Sequence, residues 1–424
     1  YTTLFRSKNI FWPKPIKWFA ISSGTTNAKS KFIPVSLDSL EDCHYAAGKD
    51  LLCMYLNNNE NSTLFNGKNL RLGGSNELYE ENGTIFGDLS AILIHNMPFW
   101  AELSSTPSNK VSLMSDWEYK MQAIVNETIN ENVTSLAGVP SWMLVLLNNV
   151  LETSGNKTIL DVWPNLEVYF HGGVSFLPYV DQFKSIIPSK SVKYYEIYNA
   201  SEGFFAIQDR NKSDELLLML DYGIFYEFIP MNTYGTQTEK IIPLSDVEKG
   251  ENYAIIVTTN AGLWRYKIGD TVTFTSTNPY RIKVTGRTKH FINVFGEELI
   301  IENTDKAVKI ATKKTRSEIV DYTVAPIFME GKSKGGHEWV IEFKTPPKDL
   351  HYFVELLDNS LKSLNSDYEA KRYNNITLNT PKIHVAQRGL FYKWMKRNNK
   401  LGGQHKVPRL SNSRQFLEEL LEMN

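Results

Sequence analysis

The stretch SLAGVPSWMLVLLNNVLETSG, residues 135–155, decides the fold class of this chain. Pro140 is typical of the first turn of a helix, and Gly155 is typical of a helix end. Residues 142–147 are all apolar, and apolar residues recur at Val150. A helix with so many apolar side chains must be buried, so we predict that it packs against a β-sheet.

Short apolar or alternating segments follow this helix and predict strands. The segments LEVYFH and KYYEIYN are separated by LPYVDQFKSII, whose pattern predicts a helix, so this order predicts βαβ units. Further strands of an antiparallel region are predicted at LLLML (216–220), IFYEFIP (224–230), YAIIVTT (253–259) and along residues 263–287. Upstream we predict a strand that ends near Ser22 and a helix that begins at Ser36. The fold class is therefore α/β.

The pattern changes after Arg287 to that of a small α+β unit. Strands are predicted near YTVAPIF and EWVIEF, and the periodic apolar residues from Leu350 to Leu364 predict a helix. We place the boundary at about 287–291, which gives a large domain of residues 1–287 and a small one of residues 288–424.

Composition excludes several classes of partner. The chain has 424 residues, with 46 basic and 47 acidic side chains, so no broad field attracts nucleic acid or an anionic membrane. No apolar stretch approaches the roughly 20 residues that span a bilayer. We therefore expect small-molecule partners. The chain has only 2 cysteines, which indicates a reducing compartment such as the cytoplasm. Because it begins at Tyr1 and not Met, we expect that an N-terminal piece is missing.

The first candidate motif is FAISSGTTNAKSK, residues 19–31. Gly24 lets the backbone turn so that successive amides point inward, and Lys31 adds a mobile cation. Hydroxyl donors come from Ser22, Ser23, Thr25 and Thr26. Such donors match a polyphosphate, although the spacing is not that of a Walker A loop. A polar surface turn is the alternative.

Two further motifs each follow a predicted strand. In HGGVSF, Gly172 and Gly173 allow a flat ring or a phosphate to approach the backbone, and a tight strand-to-helix turn is the alternative. In YNASEG, the ring of Tyr198 can stack on a base, Ser201 can donate a hydrogen bond, and Glu202 can bind Mg²⁺ shared with phosphates. A helix N-cap would explain the last two residues without a ligand.

The last candidate residues lie near the predicted boundary and near the C-terminus. In GLWRYKIGD, Asp270 can accept hydrogen bonds from ribose hydroxyls, or it belongs to a turn between two strands. GRTKHF, with Arg287, is a candidate hinge. In GGQHKVPRL, Lys406 can neutralise developing charge, or it is a solvated lysine.

Together the motifs occur in an order that resembles the adenylate-forming superfamily of acyl-CoA synthetases, firefly luciferase and peptide-synthetase adenylation domains. The residues within these motifs resemble more closely those of the auxin-responsive family of acyl acid–amido synthetases, and its bacterial members more than its plant ones. The stretches that carry this resemblance are SSGTT, HGGVSFLPY, YNASEG, TNAGLWRYKIGD and GLFYKWMKRNNKLGGQHKVPRL. The similarity runs from about Trp18 to Leu410.

The resemblance implies a large N-terminal domain of packed α/β sheets with a β-barrel, and a small, mobile α+β C-terminal domain that closes over ATP. It also implies a set of residue roles. Ser22 to Thr26 contact the phosphates; Gly172, Gly173 and Tyr198 line the adenine pocket; Ser201 touches the α-phosphate; Glu202 carries Mg²⁺; Asp270 and Arg287 lie at the ribose; and Lys406 is the closing cation.

The implied activity is that of an ATP- and Mg²⁺-dependent ligase. It adenylates a small carboxylic acid and transfers the acyl group to an amine, for which an amino acid is expected, releasing pyrophosphate and AMP. A thioester-forming acyl-CoA synthetase and a non-catalytic nucleotide-binding module are the alternatives. Val139 and Trp142 are expected to face the acyl pocket, or else to be packed in the core.

Two departures from the family pattern affect these expectations. Asn27 and Ala28 stand where the wider superfamily prefers a glycine, which changes the expected loop conformation. The helical segment expected ahead of Trp12 is mostly absent, so we expect an incomplete or inactive chain.

Overall fold

The computed structural model describes residues 7, 10–22, 31–73, 78–173, 176–177, 179–288, 291–292, 299–327, 335–365, 368–369, 372, 378–401, 406–411 and 413–424. The chain divides into two compact units. The first is built mainly from Tyr1–Ile268 and Val272–Val284, and the second mainly from Thr285–Leu401 and His405–Asn424. Gly269–Thr271 groups with the second unit, although the sequence on both sides of it belongs to the first.

The strands up to Arg287 form two sheets in the described part of the chain. In chain order they are β1 (Trp18–Ser22), β2 (Lys31–Val35), β3 (Lys68–Arg71), β4 (Tyr79–Glu81), β5 (Thr84–Gly87), β6 (Ser105–Thr106), β7 (Val133–Gly138), β8 (Val168–Gly172), β9 (Lys193–Ala200), β10 (Gly203–Ile207), β11 (Leu216–Leu218), β12 (Ile224–Pro230), β13 (Ile242–Pro243), β14 (Asn252–Thr259), β15 (Tyr266–Thr277) and β16 (Tyr280–Arg287). A 4-stranded sheet has the order β2-β1-β5-β4, and a 12-stranded sheet has the order β13-β12-β14-β15-β16-β11-β10-β9-β8-β7-β3-β6.

The large sheet has a parallel and an antiparallel part. Strands β6, β3, β7, β8 and β9 pair in parallel. From β9 onward, the pairs β9/β10, β10/β11 and β11/β16, and likewise β12/β14, are antiparallel. The predicted order, βαβ units followed by an antiparallel region, is therefore confirmed. Parallel strands require covered crossover connections, which helices supply here.

The helices of the first unit connect and cover the parallel strands. They are α1 (Ala46–Asn58), which continues a π-helical segment at Ser39–Tyr45, then α2 (Leu89–His95), α3 (Phe99–Leu103), α4 (Asn109–Ser112), α5 (Trp117–Thr128), α6 (Pro140–Ser154), α7 (Ile159–Val162) and α8 (Val180–Ile186). None of the helices in the described ranges is long and apolar enough to cross a lipid bilayer.

The helix predicted from residues 135–155 is α6, and its ends match the sequence signals. Pro140 opens it, and Gly155 ends it in the left-handed conformation with φ of 69°. Met143, Leu146 and Leu147 have no exposed surface. Their burial against neighbouring elements, and not helix propensity alone, stabilises this helix.

The helix predicted to begin at Ser36 is also confirmed. The amide of Ser39 donates to Ser36 Oγ at 2.9 Å, and the amide of Ser36 donates to Ser39 Oγ at 3.0 Å. This reciprocal pair satisfies two backbone donors that the first turn of a helix leaves without intrahelical partners.

The second unit is a small α+β structure. Its elements are β17 (Phe291–Ile292), β18 (Leu299–Ile300), α9 (Ile301–Thr315), β19 (Glu318–Ile327), β20 (Gly336–Thr345), α10 (Leu350–Leu364), β21 (Lys382–Ala386), α11 (Leu390–Arg397) and α12 (Gln415–Met423). The 3-stranded sheet has the order β19-β20-β21. Helix α10 has the predicted bounds, and Phe353, Leu357 and Leu361 on it are fully buried. The predicted α/β fold class, with a smaller α+β part, is confirmed.

Candidate active site

Two predicted motifs of the first unit, HGGVSF and YNASEG, lie at one edge of the parallel sheet. Strands β3, β7, β8 and β9 end at Arg71, Gly138, Gly172 and Ala200. Because these strands are parallel, their carboxyl ends lie at the same edge, which is where open α/β sheets bind ligands. HGGVSF and YNASEG therefore follow neighbouring strands at this edge.

The geometry requires both glycines of the HGG motif. A Cβ on Gly172 would lie 2.5 Å from the carbonyl oxygen of Ile197, so a side chain would force β8 and β9 apart. Gly173 has φ of +78°, and a Cβ there would lie 3.3 Å from Cγ2 of Val139. The strand turn thus brings Val139, a predicted acyl-site residue, against a predicted adenine-site residue. The adenine role of these glycines stays a prediction.

The YNASEG motif forms a hairpin. Ser201 and Glu202 connect β9 to β10, which pair through Ala200 and Gly203. The helix N-cap alternative for these two residues is therefore wrong, because a second strand and not a helix follows them. Ser201 is buried, Glu202 is partly exposed, and the Tyr198 ring lies 4.9 Å from that of Phe205. Tyr198 thus packs in the core of this unit, as does Trp142, which is 3% exposed.

His171 is a buried aromatic side chain in this structure. Its ring stacks on Phe176 with 4.2 Å between centroids, and burial lowers the pKa of His171 to about 3. Its Nδ1 atom has no hydrogen-bond partner among the described residues. Because burial disfavours the charged form, the imidazole stays neutral at physiological pH. Packing therefore accounts for His171.

Glu196 lies beside His171 in the sheet register, is partly buried, and was not among the site residues predicted from the motifs. Burial, with a smaller contribution from Asp214, raises the pKa of Glu196 from 4.5 to about 7. The native state therefore binds this proton more tightly than the unfolded chain, so its contribution to stability is present at low pH. That contribution is lost as the pH rises from about 4.5 to about 7.

Replacing Glu196 with glutamine is expected to stabilise the protein at alkaline pH. The amide cannot ionise, so the free energy of unfolding at about pH 8 should rise by about 1–3 kcal/mol, with little change at about pH 5. Urea denaturation at both pH values measures this difference. Glu60→Gln, at an exposed position, is the control. Equal effects of Glu196→Gln at both pH values would show that Glu196 does not titrate abnormally.

The predicted phosphate loop begins at the end of β1. Ser22 is the last residue of β1 and pairs with Lys31 in β2. Ser23, Gly24, Thr25 and Thr26 lie outside the described residues. Lys31 Nζ donates to Tyr266 Oη at 3.0 Å and lies 5.4 Å from the centre of the same ring. Lys31 is thus exposed but held in place by Tyr266.

In the second unit, Asp270 and Arg287 form an ion pair. Arg287 Nε lies 2.7 Å from Asp270 Oδ1, and the two side chains are 33% and 14% exposed. Asp270 lies inside β15, which continues from Tyr266 to Thr277, so the alternative of a turn between two strands is wrong. Gly269 takes φ of +91° there, and its carbonyl accepts from the amide of Thr288 at 2.7 Å. This local distortion fixes Asp270 beside Arg287.

Lys406 belongs to the same charged group of the second unit. The residue has exposed surface, but the dense surroundings of its ammonium lower the pKa of Lys406 to about 8. Removal of the charge from water is the main cause, the guanidinium of Arg287 is the second, and Asp270 acts in the opposite direction. Arg287 and Asp270 therefore lie close enough to Lys406 to shift its pKa.

Arg409 holds the segment that carries Lys406, and no role was predicted for it from the motifs. Its Nη1 lies 2.5 Å from Oδ1 of Asp305, and its guanidinium lies 5.2 Å from the centre of the Tyr322 ring. A backbone hydrogen bond also attaches this segment to β19, because the amide of Val324 donates to the carbonyl of Arg409 at 2.8 Å. The arginine of KVPRL, three residues after Lys406, was the sequence signal that could have indicated this attachment.

A second partly buried acid, Asp321, lies next to Arg409. Burial raises the pKa of Asp321 to about 6, while Arg409, with Nε 4.0 Å from Asp321 Oδ1, acts in the opposite direction. Asp321 also raises the pKa of Lys406. The charged group of the second unit thus combines Lys406, Arg287 and Arg409 with the carboxylates of Asp270 and Asp321.

Solved structures share this fold. The AtGH3.15 acyl acid amido synthetase in complex with 2,4-DB has a TM-score of 0.80 at 17% sequence identity, covering 100% of this chain and 84% of that chain. 2-Hydroxyisobutyryl-CoA ligase in the postadenylation state, in complex with R3-HIB-AMP, has a TM-score of 0.58 at 12% identity, covering 98% and 78%. The fold is therefore the one seen in amido synthetases and CoA ligases.

Family comparisons make the assignment narrower. Residues 6–192 match the GH3 family N-terminal domain, residues 217–287 the GH3 family central domain, and residues 302–415 the GH3 family C-terminal domain. These ranges cover most of the chain, which therefore belongs to the GH3 family. The resemblance inferred from the motifs is confirmed at the level of the family.

Curated relatives carry amido synthetase names. Indole-3-acetic acid-amido synthetase GH3.4 of Arabidopsis thaliana is 24% identical over 339 residues, covering 73% of this chain and 54% of that protein. Jasmonoyl--L-amino acid synthetase JAR6 of Nicotiana attenuata is 24% identical over 478 residues, covering 93% and 79%. The 4-substituted benzoates-glutamate ligase GH3.12 of Arabidopsis thaliana is 24% identical over 345 residues, covering 73% and 58%. The chain thus spans about half the length of the first of these relatives.

Proposed function

We propose that this protein is an ATP-dependent ligase that adenylates a carboxylic acid and transfers the acyl group to an amine, an amino acid in our reading. Membership of the GH3 family supports the class of reaction. The observation that carries the proposal is the charged group of the second unit, in which Lys406 lies beside the Asp270–Arg287 ion pair. A nucleoside triphosphate is bound by a cation near its phosphates and by an oriented carboxylate near its ribose hydroxyls.

The first reaction step joins two anions. A substrate carboxylate attacks the α-phosphorus of ATP, the bond to the pyrophosphate oxygen breaks, and an acyl-adenylate forms. The protein lowers this barrier by holding the two anions in line and by neutralising the extra charge on phosphorus. In our proposal Lys406 supplies that charge, and Arg287 fixes the orientation of the Asp270 carboxylate for the ribose hydroxyls.

The second step transfers the acyl group. The amine attacks the activated carbonyl carbon, the bond to the AMP oxygen breaks, and an amide and AMP are formed. In this proposal Val139 borders the acid, with Trp142 packed behind it in the core. Gly172, Gly173 and Ser201 border the nucleotide, with Tyr198 packed behind them. The contact distance of 3.3 Å between Val139 and the Cβ position of Gly173 supports placing the two substrates side by side at the sheet edge.

Magnesium fits this site only as an ion shared with the substrate. The described residues contain no group of three His, Cys, Asp or Glu side chains placed to hold a metal ion. Mg²⁺ is commonly bound by one or two carboxylates together with substrate phosphates, and we assign this role to Glu202, which is partly exposed after β9. The ion would offset negative charge on the phosphates, while Glu202 would fix its position.

An exchange assay tests the proposal. Radiolabelled pyrophosphate should enter ATP only when a suitable carboxylic acid is present, and AMP release should then increase with an amino acid and yield an amide. A thioester product with coenzyme A, and none with amino acids, would replace the amido synthetase by an acyl-CoA synthetase. ATP binding without exchange for any acid in a broad panel would indicate a non-catalytic nucleotide-binding module.

A further inference from the structure

Arg71 lies at the carboxyl-terminal edge of the parallel sheet in the first unit. It is the last residue of β3, and β7 separates this strand from β8 with its paired glycines. Arg71 pairs in register with Ala137, and Ala137 pairs with Phe170. Residues in register share one face of a sheet, so Arg71 lies on the face that carries Phe170.

The end of β3 is close to the predicted acyl site. A Cβ on Gly138, the last residue of β7, would lie 3.2 Å from Cβ of Leu72, the residue that follows Arg71. Val139 comes directly after Gly138 and caps helix α6. The segment that carries Arg71 therefore lies against the segment that carries the predicted acyl-site residue.

The guanidinium of Arg71 has mainly neutral contacts. Nη2 donates to Oδ1 of Asn109 at 2.5 Å, and Nη1 contacts the sulfur of Met97. Nε is buried and has no hydrogen-bond partner among the described residues. Burial lowers the pKa of Arg71, and Glu102, which accepts a hydrogen bond from Asn109, acts in the opposite direction. Within the described ranges, no carboxylate forms an ion pair with this guanidinium.

A partly buried cation with an unpaired donor such as Nε is stabilised by a bound anion. Removing a charge from water is costly unless the charge is paired and its donors are satisfied. The planar guanidinium presents a fork of N–H donors that matches the two oxygens of a carboxylate. A contact with a thioether and one amide leaves most of that capacity unused.

We propose that Arg71 binds a substrate carboxylate at this sheet edge, beside the acyl site. This inference rests on the proposed ligase function for the identity of its ligand. Two sources supply the same chemistry: a second carboxylate at the far end of the acyl acid, or the α-carboxylate of the acceptor amino acid. In either case Arg71 determines substrate specificity and takes no part in the bond-forming steps.

Binding measurements test the first source without requiring turnover. Calorimetric titrations compare glutarate and adipate with pentanoate and hexanoate, which have the same chain lengths but one carboxylate. The wild type should bind each diacid at least about tenfold more tightly than its monoacid, because a charge-assisted bidentate pair is added. Arg71→Met should remove this preference without weakening monoacid binding, and Arg71→Lys should restore part of it.

The second source is tested with amino acids and their α-carboxamides in the same titrations. If the acceptor supplies the anion, the wild type prefers the amino acid to its amide, and Arg71→Met loses this preference. Wild-type protein with no preference in either series, or Arg71→Met with its preference intact, would overturn the proposal.

Two controls separate this role from a structural one. Asn109→Asp places a carboxylate on the guanidinium while keeping Arg71, so it should also abolish the preference, and it gives the answer if Arg71→Met does not fold. Thermal unfolding without ligand reports any loss of packing. The proposed function fails separately, because diacid selectivity in binding with no pyrophosphate exchange would contradict the ligase and leave the carboxylate site supported.

Discussion

Replacing Lys406 with alanine is expected to abolish measurable adenylate formation while ATP still binds. In the proposed reaction the ammonium neutralises charge that appears only in the transition state, and loss of one such group typically lowers the rate by about 10²–10³-fold. Acid-dependent pyrophosphate exchange measures the loss, and calorimetric titration with ATP measures retained binding. Lys313→Ala, at an exposed lysine of α9, is the matched control.

The pH dependence of the wild type provides a second measurement of the same role. Because the pKa of Lys406 is lowered to about 8, the cation is present below this pH and is lost above it. Exchange should therefore decline as the pH rises through about 8, and Lys406→Arg, which stays charged, should move or remove that decline. An unimpaired Lys406→Ala variant would remove Lys406 from the mechanism.

Replacing Arg409 with methionine is expected to destabilise the second unit strongly. Arg409 and Asp305 are 10% and 3% exposed, and removing one partner leaves the other charge buried without compensation. Such a change typically costs about 3–5 kcal/mol in the free energy of unfolding. Urea denaturation measures this loss, and exchange activity should fall with it because Arg409 attaches the segment that carries Lys406.

A double variant tests the stated cause of this destabilisation. Arg409→Met with Asp305→Asn removes both charges, so it should recover most of the stability lost in Arg409→Met alone. If Arg409→Met changes the free energy of unfolding by less than about 0.5 kcal/mol, as an ordinary surface substitution does, the attachment proposed for this segment is wrong.

The sequence predicted the elements whose periodicity is strong and local. Helix α10 was predicted with its bounds because large apolar side chains recur on one face. Helix α9 was missed because its fully buried side chains include the small residues Ala307 and Ala311, which give a weak periodic signal. Strand β7 was missed because Val133–Gly138 runs directly into the start of α6. The parallel pairing of β1 with β5 joins distant segments, which no local pattern encodes.

The candidate site was predictable only where its residues lie in short local motifs. Residue types in short motifs identified Asp270 and Lys406 as chemically suitable, and the family resemblance implied the role of Arg287. The ion pair between Asp270 and Arg287, however, depends on the distorted backbone at Gly269. The buried anchor of Arg409 is Asp305, whose carboxylate lies 104 positions earlier in the chain. Likewise, the raised pKa of Glu196 results from its burial in the folded sheet. Local sequence patterns do not show which residues the fold buries.

The position of Gly269–Thr271 affects how truncated or chimeric proteins of this family should be designed. The compact unit that holds Lys406 takes Asp270 from an earlier part of the chain, so one cut near residue 287 cannot release that unit intact. A chimera that exchanges only Thr285–Asn424 would combine Arg287 and Lys406 of one parent with Asp270 of the other. Such hybrids should therefore transplant Gly269–Thr271 together with the segment that it serves.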